Sequence, residues 1–119
     1  MSFERAQRVA EAIKEEISDI LSNEIKDPRV GFASVVRVEM SPDLRYAKVY
    51  ISAMGDEKAK TETFRGLESA KGFIRTEIGR RIRLRFVPEI TFIEDSSIEY
   101  GTRINRILKD LNRGDSPDA

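Results

Sequence analysis

The chain has 119 residues, a length that fits one domain with its own apolar core. Its 21 lysines and arginines balance 21 aspartates and glutamates, and it contains no histidine, cysteine or tryptophan. The lack of cysteine and histidine excludes disulfides, thiolate catalysis, imidazole bases and most zinc sites. No apolar run is long enough to cross a membrane, and the N-terminus has no signal-peptide core. The composition therefore favours a soluble cytoplasmic protein that is not an enzyme and needs no cofactor or metal.

The neutral net charge hides an uneven distribution along the chain. Residues 71–86 carry six cations against the single anion Glu77, and residues 103–113 carry four against Asp110. A nonspecific polyelectrolyte binder would be basic throughout, which this chain is not. A local basic face instead indicates a defined contact with an anion-rich surface.

The first half of the chain predicts a helix followed by a hairpin. Apolar residues four apart predict an amphipathic helix from about Phe3 to Ile25. It stops at Asp27-Pro28, because the residue before a proline avoids helical angles. Alternation with period two then predicts two antiparallel strands joined by a turn over residues 41–44. The residues expected to face inward are Phe32, Val36, Val38 and Met40 in the first strand and Ala47, Val49, Ile51 and Ala53 in the second.

A second helical pattern begins after Gly55-Asp56 and contains a glycine in its middle. One apolar stripe runs to Ala70, another begins at Ile74, and Gly72 lies between them. On a straight helix, Phe73 would project about 140° from the second stripe and be exposed. We therefore predict helix–kink–helix, with the kink at Ala70-Lys71-Gly72.

The C-terminal third predicts one more strand and one more helix. Residues 88–93 read as a strand, with proline tolerated at its first position. Apolar residues between Ile98 and Leu111 mark a closing helix, and residues 114–119 form a polar, disordered tail. Residues 1–113 are thus expected to form a single α+β domain, with a three-stranded sheet and helices on one face.

This order of elements matches a type II KH domain, a nucleic-acid-binding fold whose GXXG loop lies where this chain has Ala-Lys-Gly. Short motifs in register are more specific than the topology. The motifs are RAQRV (5–9), KDPRVGF (26–32), AKGFIR (70–75), PEITF (88–92), DSSI (95–98) and GTRI (101–104). Through these motifs the chain closely resembles, from about Arg5 to Leu111, the ribosome-binding factor A family of bacteria.

The resemblance implies a non-catalytic factor that binds the free 30S ribosomal subunit through 16S rRNA. It also implies a role in late maturation and 5′-end processing of 16S rRNA, and in growth in the cold. We expect a monomer with no small-molecule substrate and no membrane partner. By the same resemblance, the KH-like RNA-binding motif corresponds to Ala70, Lys71 and Gly72.

Charge, rather than the family motif, selects the other candidate RNA-binding residues. Cations on both sides of the kink could neutralise phosphates. Positive charge near the start of the first helix opposes the helix dipole, which indicates that a partner requires it. The candidates are Arg5, Arg8, Lys71, Arg75, Arg80, Arg81, Arg83 and Arg85.

Other interpretations stay open at this point. The arginines could form a solvated face that pairs with Glu77 and other carboxylates, with the kink serving packing alone. The chain could instead be a KH-like binder of another RNA, or a protein–protein module whose C-terminal helix fills a groove. Tyr46 and Tyr50 could stack bases, although outward aromatic residues are ordinary on strands. An enzyme is disfavoured because no acid–base pair stands at a recognisable spacing.

Overall fold

The computed structural model describes residues 2–30 and 33–95. Two helices and a three-stranded sheet confirm the predicted α+β class. The predicted closing helix, the tail and Phe32 lie outside the described residues. The elements are α1 (Ser2–Asn23), β1 (Ala33–Met40), β2 (Tyr46–Ala53), α2 (Glu57–Arg81) and β3 (Glu89–Glu94).

The sheet has the strand order β1-β2-β3, with β2 in the centre. β1 and β2 form the predicted antiparallel hairpin, whereas β3 lies parallel to β2. Parallel neighbours cannot be joined by a tight turn, so the chain crosses over through α2. As a result, the loop that follows α2 lies at the same end of the sheet as the start of β2, where Tyr46 is paired with Glu89.

The inward face predicted for β2 is confirmed, but the prediction for β1 is partly wrong. The β1–β2 register shifts between Val35 and Arg37, which is the sign of a bulge. Because the extra residue changes the alternation, Val35 packs against the core and Val36 does not belong to it. The buried residues of β2 are Ala47, Val49, Ile51 and Ala53.

The core lies between the inner face of the sheet and both helices. Burying a large aliphatic side chain fully stabilises a fold by roughly 1.5–3 kcal/mol relative to leaving it exposed. The apolar stripes of the two helices therefore hold the layers together. Their fully buried residues are Ile13, Ile17 and Ile20 in α1 and Leu67, Ile74 and Ile78 in α2.

α2 is one continuous helix of 25 residues, so the predicted division into two helices with a kink at Ala70-Lys71-Gly72 is wrong. The two apolar stripes join, because Leu67, Ala70 and Ile74 follow one another at intervals of three and four residues. One face of a single helix therefore buries both apolar stripes. Phe73 falls outside this face and is 44% exposed. A single exposed aromatic residue is ordinary on a protein surface, so its exposure does not require a kink.

Gly72 allows a direct test of the continuous helix. Beyond its chain neighbours and the nearby backbone of α2, a Cβ atom placed at Gly72 would meet no atom within 4 Å. We expect Gly72→Ala to raise the free energy of unfolding by about 1 kcal/mol, since alanine is the better helix former. Urea denaturation followed by circular dichroism measures this difference.

The matched control is Gly66→Ala in the same helix. There the added Cβ would lie 3.0 Å from Cγ2 of Val30, so we expect a smaller gain or a loss of stability. A loss of stability in Gly72→Ala would contradict the continuous helix, because it would show that residue 72 needs a conformation reserved for glycine.

Candidate nucleic-acid interface

The arginines fall into two groups according to their partners. Six have a carboxylate oxygen at 2.6–3.5 Å, namely Arg29, Arg37, Arg65, Arg75, Arg80 and Arg81. Within residues 2–30 and 33–95, the arginines without such a partner are Arg5, Arg8, Arg45, Arg83 and Arg85. The first group is paired within the chain, whereas the second is exposed to solvent without such a pair.

Arg81 belongs to the first group and ties the two helices together. Its guanidinium contacts Glu16 at 3.1 Å and Asp19 at 2.8 Å on α1. It also contacts Glu77 on its own helix at 3.3 Å. The hydrogen bond from Arg81 lowers the pKa of the Asp19 carboxyl below its ordinary 3.8, and one from Asn23 adds to this. The charge of Arg81 is therefore neutralised inside the molecule.

Arg75 and Arg80 also have partners within the chain. The Arg75 guanidinium donates from Nε to the Pro88 carbonyl and from Nη2 to the Val87 carbonyl, each at 3.0 Å. These bonds fasten the loop before β3 to α2. Arg80 pairs with Glu77 at 2.6 Å, but its side chain is 72% exposed. Arg75 is thus a structural residue, whereas Arg80 keeps most of its surface in solvent.

The motif at residues 70–72 occupies the middle of α2. Ala70 packs against the core, and Lys71 pairs with Glu68 at 3.0 Å. Gly72 is exposed, with open space where a side chain would stand. The helix backbone at Gly72 is therefore exposed, and the neighbouring lysine is paired with a carboxylate.

The five arginines without a carboxylate partner in the described part of the chain lie on elements that meet at one end of the sheet. Arg5 and Arg8 stand in the first two turns of α1, and Arg45 directly precedes β2. The other two lie in the loop between α2 and β3. The Glu89 N–H donates to the Arg45 carbonyl at 2.8 Å, which joins the two loops. We call this group the arginine end: Arg5, Arg8, Arg45, Arg83 and Arg85.

A groove of about 310 Å³ opens at the arginine end, and we call it the Phe86 groove. The Phe86 ring is 51% exposed. The guanidinium carbon of Arg45 lies 4.8 Å from the ring centre, and that of Arg85 lies 5.5 Å away. The lining residues are Arg5, Asp43, Leu44, Arg45, Leu84, Arg85 and Phe86.

The turn before β2 positions Arg45. It is the turn predicted over residues 41–44, closed by a bond from the Leu44 N–H to the Ser41 carbonyl at 2.9 Å. The Ser41 hydroxyl donates to Asp43 at 2.6 Å, and the Arg45 N–H donates to the same carboxylate at 3.1 Å. These two bonds, in that order, lower the pKa of Asp43. The turn is therefore held by its own polar groups.

Sequence reasoning selected Arg5 and Arg85 from their charge but missed Arg45 and Phe86. No motif links these two residues, which are far apart in the chain. Only the parallel pairing of β2 with β3 brings them together. Of the two tyrosines considered for base stacking, Tyr50 donates its hydroxyl to Glu39 at 3.1 Å and has Arg37 3.8 Å from its ring centre. Tyr46 is 60% exposed.

Other kinds of site are poorly supported in residues 2–30 and 33–95. No described helix is long and apolar enough to span a membrane. The same residues hold no group of three or more side chains suited to bind a metal ion. A wider open depression of about 630 Å³ lies between α2 and β3, but acidic and basic residues share its rim. The arginine end is thus the feature with a single dominant sign of charge.

The sheet, the two helices on one face and the arginine end define a small α+β domain with one cationic end. Residues 5–108 match the model of the family described as ribosome-binding factor A. The chain is 51% identical over 118 residues to ribosome-binding factor A of Halothermothrix orenii, covering 99% of this chain and 97% of that one. It is 50% identical over 115 residues to that of Staphylococcus carnosus, covering 97% and 100%. The chain belongs to the ribosome-binding factor A family.

Solved structures agree with this assignment at the level of the fold. The crystal structure of ribosome-binding factor A from Thermus thermophilus superposes with a TM-score of 0.66 at 24% identity, over 75% of this chain and 94% of that one. A homology model of the Thermus thermophilus factor, fitted into a cryo-EM map of its complex with 30S, gives a TM-score of 0.54 at 26% identity, over 71% and 93%.

Arg81 and Arg83 form a matched pair that tests the division of the arginines. We expect Arg81→Met to lower the thermal midpoint, because it removes the cation that pairs with Glu16 and Asp19 on α1. It also removes one of the two arginines that pair with the buried Glu77. Arg83→Met should leave the midpoint unchanged, since no ion pair involves Arg83 in the described structure. Thermal unfolding followed by circular dichroism at neutral pH compares the two variants.

The same comparison has a pH dependence with a definite sign. Because the pKa of Asp19 is lowered in the folded state, its pairing stabilises the fold above pH 3.8. That contribution is lost as the pH falls through the lower pKa of the folded protein. The stability difference between wild type and Arg81→Met should therefore shrink below pH 3.8. A difference that persists unchanged at lower pH would contradict the role of the Asp19 pair.

Proposed function

We propose that this chain is a non-catalytic assembly factor that binds the free 30S subunit through 16S rRNA. It acts in the cytoplasm as a monomer, without cofactor or small-molecule substrate. Membership of the ribosome-binding factor A family supports the ribosome as partner, as does the 30S complex of the Thermus thermophilus relative. The observation that carries the RNA contact is the arginine end, where cations gather without carboxylate partners in residues 2–30 and 33–95.

The chemistry of RNA fits this arrangement. Its backbone presents closely spaced phosphates, and binding cations release the counterions condensed on them. An arginine fork donates two parallel hydrogen bonds to a phosphate, which requires that its donors are not engaged elsewhere. Arg75 and Arg81 use their donors inside the molecule, so the proposed contact leaves them out. It retains Arg5, Arg8, Arg83 and Arg85 and adds Arg45.

The motif Ala70-Lys71-Gly72 remains a second proposed contact. The open space at Gly72 would let an RNA backbone approach the helix closely. Arg80, 72% exposed about two turns further along α2, is retained as a further candidate contact. We infer from the family a role in late maturation of the subunit, in 5′-end processing of 16S rRNA and in growth in the cold.

Co-sedimentation with ribosomal particles tests the proposed partner. We expect the protein to pellet with free 30S subunits and much less with 70S ribosomes, because the contact is made during assembly. Purified 50S subunits serve as the control for general attraction to rRNA. Equal binding to 50S and 30S particles, or no binding to either, would contradict the proposal. Binding to RNA-free 30S proteins would point instead to a protein–protein module.

The salt dependence of binding tests the arginine end. For each phosphate contact, the slope of log affinity against log salt changes by roughly 0.7–0.9. We expect Arg83→Met to weaken 30S binding and to flatten the slope by about one unit. The control is Arg37→Met, since Arg37 is 49% exposed but pairs with Glu39 and Asp95. Parallel slopes for wild type and both variants would place the RNA surface elsewhere.

A further inference from the structure

We infer that the Phe86 groove binds one unpaired nucleotide of single-stranded RNA, with its base stacked on the Phe86 ring and its phosphates held by Arg5, Arg45 and Arg85. The inference rests on the proposed function and deepens it. It specifies the kind of RNA that the arginine end contacts, an unpaired strand rather than a duplex.

Phe86 is not covered by the apolar core and packs instead against arginines. Its neighbours Leu84 and Val87 pack against the core, whereas half of the Phe86 ring stays in solvent. Other exposed aromatic residues in the described structure are Phe3, Tyr46 and Phe73. Of these rings, Phe86 is the one with two guanidinium groups within 6 Å of its centre. An apolar ring set among cations matches the two parts of a nucleotide, a flat base and a charged phosphate.

The size and the chemistry of the groove favour an unpaired base. Its volume of about 310 Å³ lies at the lower limit of small-ligand pockets, so it can take a base and its sugar. A duplex keeps its bases stacked on one another and offers no free face to a protein ring. Single strands instead stack their bases on aromatic and guanidinium planes, whatever the sequence.

The charge of the groove is suited to phosphate despite one carboxylate. Asp43 already accepts hydrogen bonds from the Ser41 hydroxyl and the Arg45 N–H. Asp43 forms no ion pair within 4 Å in the described structure, although the nearby charge of Arg45 contributes, after the Ser41 hydrogen bond, to its lowered pKa. Three arginines and one carboxylate therefore leave the groove with a net positive charge. Arg45 and Arg85 lie over the Phe86 ring in cation–π contacts that use none of their hydrogen-bond donors. A base that stacks on the ring therefore replaces a guanidinium there, and that arginine keeps its donors for phosphate.

The backbone next to Arg45 supports the same assignment. Leu44 has φ 63, in the left-handed region that a leucine adopts only at a cost. Such residues persist where surrounding bonds enforce them, and they cluster at ligand sites. Here the strained residue lines the groove and directly precedes Arg45.

The lack of tryptophan in the chain permits a direct experiment. Phe86→Trp places a single tryptophan in the groove. Met54→Trp, at a site 65% exposed at the opposite end of β2, is the matched control. Phe73→Trp reports on the motif at residues 70–72. The probe is a mixed-sequence RNA of about ten nucleotides, used single-stranded and annealed to its complement.

We expect the single strand to quench the tryptophan of Phe86→Trp strongly, the duplex to quench it weakly, and neither to quench that of Met54→Trp. Phe86→Leu keeps an apolar side chain but removes the π-face, so affinity for the single strand should fall about tenfold. Its salt slope should equal that of wild type, because every arginine remains. Loss of affinity with an unchanged slope separates stacking from phosphate contact.

Three results would overturn the inference. One is quenching of Phe73→Trp in place of Phe86→Trp, another is equal quenching by duplex and single strand, and the third is wild-type affinity in Phe86→Leu. If wild type still pellets with 30S subunits, such a result leaves the proposed function standing. Failure to pellet with any particle would instead remove the proposed function itself.

Discussion

The parallel pairing of β3 with β2 is the constraint on which the rest of the structure depends. A parallel neighbour requires a long crossover, and α2 supplies it along the inner face of the sheet. The β1–β2 turn and the α2–β3 loop are thereby brought to one end. The bond from the Glu89 N–H to the Arg45 carbonyl then joins them. Without this pairing, the sheet would not bring Arg45 and Phe86 together.

The basic segment of the chain is not a uniform track for RNA. Glu77 is 8% exposed, and a carboxylate in such a position must be paired and hydrogen-bonded. Arg80 and Arg81 supply that pairing, and Arg75 fastens the loop before β3. The fold therefore uses these three arginines, and Lys71 pairs with Glu68 on α2. The other cations selected from sequence lie at the arginine end: Arg5, Arg8, Arg83 and Arg85. The net charge of zero does not reveal which arginines are paired within the fold and which are exposed without a partner.

Much of the fold could be predicted from the sequence because the spacing of apolar residues indicates which faces of the helices and strands are buried. The stripe of α1 and the alternation of β2 each place apolar residues on one face, and the structure buries those residues. The bulge in β1 could not be predicted, since Val35 and Val36 are both apolar and either could face inward. The kink was inferred from Phe73, whose exposure a single helix tolerates.

The candidate site was predictable only in part. Charge identified Arg5, Arg8, Arg83 and Arg85, but it could not tell them from Arg81, because the partners of Arg81 lie on another helix. Pairing between elements is a property of the tertiary structure. The same holds for Arg45 and Phe86, which the sheet brings together. A sequence pattern can therefore identify candidate cationic residues, but only the tertiary structure shows which of them are paired with carboxylates.

Directed hydroxyl-radical probing tests most directly whether the arginine end faces 16S rRNA. The chain has no cysteine, so a single introduced cysteine can carry an iron chelate at a chosen site. Pro42→Cys places it in the exposed turn at the arginine end, and Met54→Cys places it at the far end of β2. In complexes with 30S subunits, we expect strong 16S rRNA cleavage from residue 42 and little from residue 54. Equal cleavage from both, or stronger cleavage from residue 54, would contradict the assignment of the arginine end as the RNA-binding surface.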